Sequence, residues 1–311
     1  MTVRIGYLLP TRESIMEGRP EAGPLLGLAE RAEALGYDSV WAGDSLLARP
    51  RHEPLTLLAA VAGRTRRVRL GTAVLLPALR NPVILAHQVA TLDQVSSGRL
   101  IIGVGIASDV PNIRAEFRSA GVPFEKRVGT MMEGLRLCKA LWSGKAVDWE
   151  GRWHVEQGVL GPTPCQPGGP PLWGGGAAPK ALERAARFFD GWFPNGPQPK
   201  RWGELWREVQ AHARNAGREA TAIEPATYLT ISLDDRVGKA EGRLDAFLSA
   251  YYGNRNLSKQ LEGSFAGPAS AAAEWLNAFV EEGVRYFVLR FAGEHERQLE
   301  TVAKLRESIG T

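Results

Sequence analysis

The stretch from Val68 to Gly105, VRLGTAVLLPALRNPVILAHQVATLDQVSSGRLIIGVG, constrains the fold more than any other part of the chain. The apolar run Val68 to Leu76 reads as a strand. Helical spacing occupies Pro82 to Val95, the turn Ser96-Ser97-Gly98 follows, and Leu100 to Val104 is a second apolar run. Two such strands joined by a helix form a parallel crossover, with turn signals where the crossover needs them.

The same alternation runs through the whole sequence. Strands are predicted at Val3–Leu9, Ser39–Ala42, Val68–Leu76, Leu100–Val104, Pro171–Trp173, Gly191–Phe193, Thr227–Leu233 and Tyr286–Phe291. Helices are predicted at Leu25–Leu35, Pro54–Arg64, Pro82–Val95, Arg127–Trp142, Pro179–Phe189, Lys200–Ala216, Ser270–Glu282 and His295–Ile309. Eight strand-helix alternations predict an α/β fold, a single (β/α)8 TIM-type barrel over residues 1–311; a doubly wound sheet of eight strands is the alternative. Two segments depart from the alternation. Residues 147–170 are rich in turn formers and read as a hairpin-bearing excursion. Residues 238–263 carry the aromatic patch Phe247, Tyr251 and Tyr252 and read as a lid or insertion.

Composition removes several function classes. Lys and Arg number 38 against 34 Asp and Glu, a net charge of +4, and no basic-aromatic motif accompanies it, so no nucleic-acid role is expected. The basic cluster Arg64, Arg66, Arg67 and Arg69 reads as a solvated helix end. Two cysteines, Cys138 and Cys165, make no disulfide framework, and five scattered histidines have no metal-ligand spacing, so no metal is expected. No apolar run reaches the roughly 18 residues of a membrane span, and the chain enters its first strand at once. A cytoplasmic protein without a signal peptide is therefore expected.

In a barrel the chemistry sits at the C-terminal ends of the strands. Gly174-Gly175-Gly176-Ala177 follows a strand and precedes a helix. Glycines there admit backbone N–H groups to an anion, although a plain turn has the same composition. Gly103 and Gly105 form a second glycine pair at a strand end. Asp44 follows the second strand, where a carboxylate can hold a ring N–H or a substrate hydroxyl, or simply cap a turn. Arg80-Asn81-Pro82 opens a helix, with Asn81 equally a cap. Asp93 is expected to tie down its adjoining loop through Arg99. No nucleophile motif is present, and a site poor in acid-base groups suits a cofactor that carries the chemistry itself.

Several blocks, taken in order, resemble the bacterial luciferase-like family of flavin- and deazaflavin-dependent oxidoreductases. They include Leu35-Gly36-Tyr37-Asp38-Ser39-Val40-Trp41, Leu70-Gly71-Thr72-Ala73-Val74, Arg80-Asn81-Pro82 through Asp93-Gln94, and Ser97-Gly98-Arg99-Leu100. Glu116-Phe117, Gly121-Val122-Pro123-Phe124, Pro170 to Gly175 and Asp190-Gly191-Trp192-Phe193-Pro194 continue the series. The resemblance implies a homodimeric (β/α)8 barrel with a flavin-type ring across its mouth and the cofactor phosphate near Gly174 to Ala177. It implies a non-proline cis peptide at Ala73–Val74 in the bulge after the third strand. Cofactor contacts are implied for Asp44, Ala73, Val74, Asn81, Gly105, Ile106, Gly174, Gly175, Gly176 and Ala177. Leu9, Trp192, Phe247 and Tyr251 would line the substrate side. Many relatives carry a histidine after the acid of the second strand; here the pair is Asp44-Ser45, which become the catalytic candidates.

The main expectation is a two-component monooxygenase that uses reduced FMN, supplied by a separate flavin reductase, and oxygen on a small organic substrate. One alternative keeps the fold and uses coenzyme F-420 for hydride transfer. Another is a flavin-binding homologue without turnover.

Overall fold

The computed structural model describes residues 3–253 and 261–310. In chain order the elements are β1 (Arg4–Leu8), α1 (Glu13–Met16), α2 (Gly23–Ala34), β2 (Ser39–Ala42), α3 (Pro54–Arg64), β3 (Arg69–Thr72), α4 (Pro82–Val95) and β4 (Leu100–Val104). Next come α5 (Pro111–Ser119), α6 (Arg127–Leu141), β5 (Val147–Trp149), β6 (Val155–Gly158), β7 (Leu172–Gly174), α7 (Pro179–Phe188) and β8 (Gly191–Trp192). The chain continues with α8 (Pro199–Asn215), β9 (Glu224–Leu233), α9 (Val237–Tyr252), β10 (Ser264–Gly267), α10 (Ala269–Glu281), β11 (Tyr286–Phe291) and α11 (His295–Leu305).

Eight parallel strands close into a barrel in the order β9-β11-β1-β2-β3-β4-β7-β8, and β8 pairs back onto β9. The eighth and first strands meet in register, with Arg4 opposite Tyr286 and Tyr7 opposite Leu289. β9 is long enough to outreach β8, and β10 pairs with the upper half that β8 leaves free, from Ser264↔Thr230 to Gly267↔Leu233. The predicted excursion at 147–170 contains the antiparallel β5–β6 hairpin.

Strand periodicity divides the side chains into two layers. Inside the barrel, Leu8, Trp41, Ile101, Trp173, Phe193, Tyr228, Tyr286 and Val288 form one cluster. Trp41 and Trp173 lie 5.4 Å apart by ring centroid, and Tyr286 meets Trp173 edge-on at 5.0 Å, so the floor of the barrel is filled with aromatic surface. The outer layer seals strands against helices. There Trp192, Trp202 and Trp206 stack between β8 and α8.

Three differences from the sequence reading have physical causes. The third strand ends at Thr72, because the apolar run conceals a bulge: the chain turns at Ala73–Val74 and rejoins the ladder when Leu75 N–H donates to Gly103 O at 2.7 Å. The connection before residue 127 holds the helix α5, whose buried face is only Ile113, Glu116 and Phe117. β10 is four residues ending in glycine, too short to show a period. The predicted lid at 238–263 begins as α9, and its residues 254–260 lie outside the described residues. Among the described residues no helix is long and apolar enough to cross a membrane.

Candidate active site

The bulge after β3 is the centre of the mouth. The Ala73–Val74 peptide is cis, as the resemblance implies. A Cβ added at Gly105 would lie 2.6 Å from Val74 Cγ2, so only glycine lets the end of β4 close on the bulge. Asp44 braces the same bulge from β2. Its Oδ2 accepts from Leu76 N–H at 2.9 Å and from Arg80 Nη1 at 2.5 Å, and its Oδ1 accepts from Arg80 Nη2 at 3.1 Å. Two charges meet here almost out of contact with water, in a bidentate pair of the kind that fixes geometry. Glu53 adds a third contact to Arg80 at 3.0 Å.

Ser45 does not stand free in place of the missing histidine. Its hydroxyl donates to Glu116 Oε1 at 2.7 Å and accepts from Arg49 N–H. The same Glu116 oxygen takes Leu47 and Ala48 N–H groups, so Ser45 and Glu116 together fold the loop after β2. Asn81 acts as the N-cap of α4, its Oδ1 accepting from Val83 and Ile84 N–H. The expectation for Asp93 is corrected: its carboxylate holds Gln166, through backbone N–H and side-chain amide, while Arg99 binds carbonyls at Ala62, Thr65, Val68 and Ser96.

Across the mouth, Gly174 ends β7 and Gly175, Gly176 and Ala177 lead into α7. Gly176 adopts φ +100°, which favours glycine. A Cβ added at Gly175 would meet nothing nearer than Phe193 O at 3.7 Å, so the missing side chain leaves an open cradle. α7 starts without a side-chain cap; Pro179 has no N–H and Ala181 N–H donates to Ala178 O at 2.7 Å, so the donors at this helix end are those of the glycine turn and Lys180, beside the positive end of the helix dipole. Open backbone donors at a helix N-terminus fit a cofactor phosphate. Ile106 sits beside the β4 end, its carbonyl held by Arg127 Nε at 2.9 Å.

Two predicted substrate residues are corrected. Leu9 and Trp192 belong to the outer layer; the inward neighbours are Leu8 and Phe193. In strands that are apolar on both faces, sequence shows no alternation, and a shift of one residue exchanges the faces. Trp192 nevertheless touches the cradle from behind, its indole N–H donating to Gly176 O at 3.0 Å. Trp192→Phe is expected to lose about 0.5–1.5 kcal/mol of stability with that bond and to weaken cofactor binding. Urea denaturation alongside a cofactor titration checks both; unchanged affinity would leave Trp192 as packing alone.

The opposite rim, at the ends of β1, β2 and β11, carries groups that sequence reasoning missed. Arg290 lies inside the barrel mouth, buried, with Nε and Nη2 donating to Thr230 Oγ1 at 3.1 and 2.7 Å and Nη1 to Tyr252 Oη at 2.7 Å. Arg51 crosses Gly43, where an added Cβ would sit 2.2 Å from Arg51 Nη1, and reaches Tyr251 Oη at 3.2 Å. Arg12 lies 4.3 Å over the Tyr251 ring. Phe247 stacks on Tyr251, so these two predicted substrate residues do come together at the mouth. They also line a cavity of about 1380 Å³ with Glu13, Arg243 and His295. Burial raises the Glu13 carboxyl above its ordinary value, with Arg290 and Arg51 pulling the other way. Burial holds His295 down to about 4, neutral beside Tyr7 Oη at 2.9 Å.

A model of the luciferase-like monooxygenase family matches residues 3–311. The chain belongs to the luciferase-like monooxygenase family. It is 30% identical over 213 residues to the 5,10-methylenetetrahydromethanopterin reductase of Methanolobus tindarius, covering 68% of this chain and 62% of that protein. It is 32% identical over 221 residues to the F420-dependent glucose-6-phosphate dehydrogenase of Mycolicibacterium smegmatis, covering 68% and 65%. The matched part thus spans less than two thirds of each relative. Among solved structures, an F420-dependent secondary alcohol dehydrogenase bound to an F420-acetone adduct superposes with TM-score 0.86 at 21% identity over all of both chains. The FMN-bound oxygenating constituent of 3,6-diketocamphane monooxygenase from Pseudomonas putida superposes with TM-score 0.78 at 16% identity over 99% of both, a likeness of fold.

Proposed function

We propose that this luciferase-like protein is a coenzyme F420-dependent oxidoreductase that exchanges a hydride with a small organic substrate. The observation that carries the reading is the kinship, at about a third identity over two thirds of the chain, with relatives named for F420-dependent dehydrogenation. It moves the balance away from the reduced-FMN oxygenase expected first. The cradle at Gly175–Ala177 would hold the phosphate, and the Ala73–Val74 bulge, backed by Asp44 and Arg80, would support the ring. When bound, the deazaflavin supplies the hydride chemistry.

The chain's own task is then positioning, exclusion of water and proton handling. With Ser45 tied to Glu116, Glu13 is an acid within electrostatic reach of Arg290 and Arg51. Burial raises its carboxyl above the ordinary carboxylate range, the direction that favours a group able to carry a proton. Glu13→Gln is expected to lower kcat by about 10²–10⁴ and to remove one limb of the pH profile. The same substitution has a stability signature. A half-buried acid with a raised pKa binds its proton more tightly folded than unfolded, so stability falls as pH rises from about 4.3 toward the raised value. Glu13→Gln removes that fall, which denaturation at a series of pH values measures.

Anaerobic titration of the apoprotein with F420 and with reduced FMN tests the cofactor. F420 is expected to bind at least about tenfold tighter, a gap of about 1.4 kcal/mol. Tighter binding of reduced FMN would restore the oxygenase reading.

A further inference from the structure

We propose that Arg290, Arg51 and Arg12 form an anion-recognition subsite on the substrate side of the mouth, so that the substrate carries a carboxylate or phosphate group. The assignment of that anion to the substrate rests on the mouth being the cofactor site; the subsite itself does not.

Positive charge at this rim is unbalanced. Arg290 is buried in an apolar strand, YFVLRF, and its hydrogen bonds go to one threonine and one tyrosine. Its guanidinium carbon lies 4.7 Å from the Tyr251 ring centroid, 5.2 Å from those of Tyr252 and Phe247 and 5.4 Å from that of Tyr228. Arg12 and Arg51 converge on Tyr251 at 4.3 and 5.9 Å, and Arg49 approaches Tyr252 at 5.3 Å. Among the described residues none of these four arginines has a carboxylate within ion-pair distance. The contrast with Arg80, which holds two carboxylates, shows that the fold pairs buried guanidinium groups elsewhere. Glu13 is the acid that faces the cluster, and three cations still exceed one carboxylate.

These guanidinium groups donate to neutral oxygens, Arg12 to Tyr251 O and Arg51 to Arg49 O and Tyr251 Oη, and the buried Arg12 Nε has no hydrogen-bond partner among the described residues; a planar fork of N–H donors matches a carboxylate or phosphate. Convergent positive charge in a recessed, low-dielectric mouth concentrates anions. Ser232 adds a further group: it shares the inward face of β9 with Thr230 by strand alternation, and its buried Oγ has no hydrogen-bond partner among the described residues. The cavity lined by Glu13, Phe247 and Tyr251 meets the cluster at Tyr251, on which Arg12 and Arg51 converge, though Arg12, Arg51 and Arg290 themselves do not line it.

The position in the barrel separates this anion from the cofactor's. Gly174–Ala177 follows β7, whereas the arginines stand at β1, β2 and β11, three or four strands away in either direction round the ring of eight. One rim would hold the cofactor phosphate, the other the substrate anion.

Calorimetric titration of the full chain with inorganic phosphate and with oxalate, with glycerol as the neutral control, tests the subsite. Wild type is expected to bind one equivalent of either anion and no glycerol. Arg51→Gln and Arg290→Gln should weaken phosphate at least about tenfold, with Arg290→Lys between. Affinity for F420, read from its own absorbance, should stay within about threefold in the same variants, because its phosphate is held across the mouth. No anion binding by wild type, or equal binding by the variants, overturns the subsite. Parallel loss of F420 would assign the arginines to the cofactor and overturn the substrate role. Circular dichroism checks folding, and should Arg290→Gln fail to fold, the half-buried Arg51 carries the decision. If neither F420 nor reduced FMN binds wild type while phosphate responds to the variants, the proposed function falls and the anion subsite stands.

Discussion

Arg80→Ala is expected to destabilise the protein by about 3–5 kcal/mol and to abolish cofactor binding. The Asp44 side chain is 1% exposed and that of Arg80 13%, so water scarcely screens the pair. Removing the guanidinium strands a carboxylate whose other neighbour is one backbone N–H, from Leu76. Breaking such a pair costs far more than the intact pair contributes relative to an apolar replacement. The consequence reaches the mouth because Asp44 connects β2 to Leu76, just past the cis peptide. Once the carboxylate moves, the bulge loses the contact that fixes its height against Gly105. Asp44→Asn should cost less, since it removes the charge and keeps an acceptor for Leu76. Urea denaturation of the three proteins, with F420 titration of whichever remain folded, measures both effects. A loss below about 1 kcal/mol for Arg80→Ala would mean that the pair behaves like a surface ion pair and that something else holds the bulge.

The parts of the molecule that the sequence made legible are those in which one signal prevailed. α3, α4, β2, β4 and β11 begin and end where proline, the turn at Ser96–Gly98 and the apolar runs place them. The barrel followed from counting alternations. Legibility failed where two structures share one pattern. Val68 to Leu76 is continuously apolar, so the strand end at Thr72 and the bulge beyond it look alike. Leu8 and Leu9 are both apolar, as are Trp192 and Phe193, so which of each pair faces inward was fixed only by the closed barrel. Asn81 and Asp44 had a structural and a functional reading of equal chemistry. Asn81 caps a helix; Asp44 braces a loop that the site depends on. The arginine cluster was scattered between residues 12 and 290 and had no local motif. One signal was present: Arg290 falls on the same parity as Tyr286 and Val288 in an otherwise apolar strand. A charge there must point into the barrel.

Gly175→Val is expected to leave the fold intact and to weaken F420 at least about 100-fold, or about 2.7 kcal/mol. The two halves of this expectation have separate causes. Its Cβ would make only ordinary contact, 3.7 Å from Phe193 O, and Gly175, unlike Gly176, is not in the left-handed region. Replacing this glycine therefore asks for no backbone change, and the loss of unfolded-state freedom offsets part of any strain. The ligand pays no such small cost. Backbone N–H groups before α7 serve an anion only while it can approach them directly, and a branched side chain at Gly175 fills that approach. Charge-assisted bonds to the anion are then lost together with the favourable helix end. Gly176→Val is the informative contrast, because at φ +100° a β-branched residue strains the backbone and should lower stability as well as affinity. Thermal denaturation and F420 titration of both variants separate the effects. If Gly175→Val binds F420 as wild type does, the phosphate is not held at this turn, and the cradle reverts to an ordinary connection between β7 and α7.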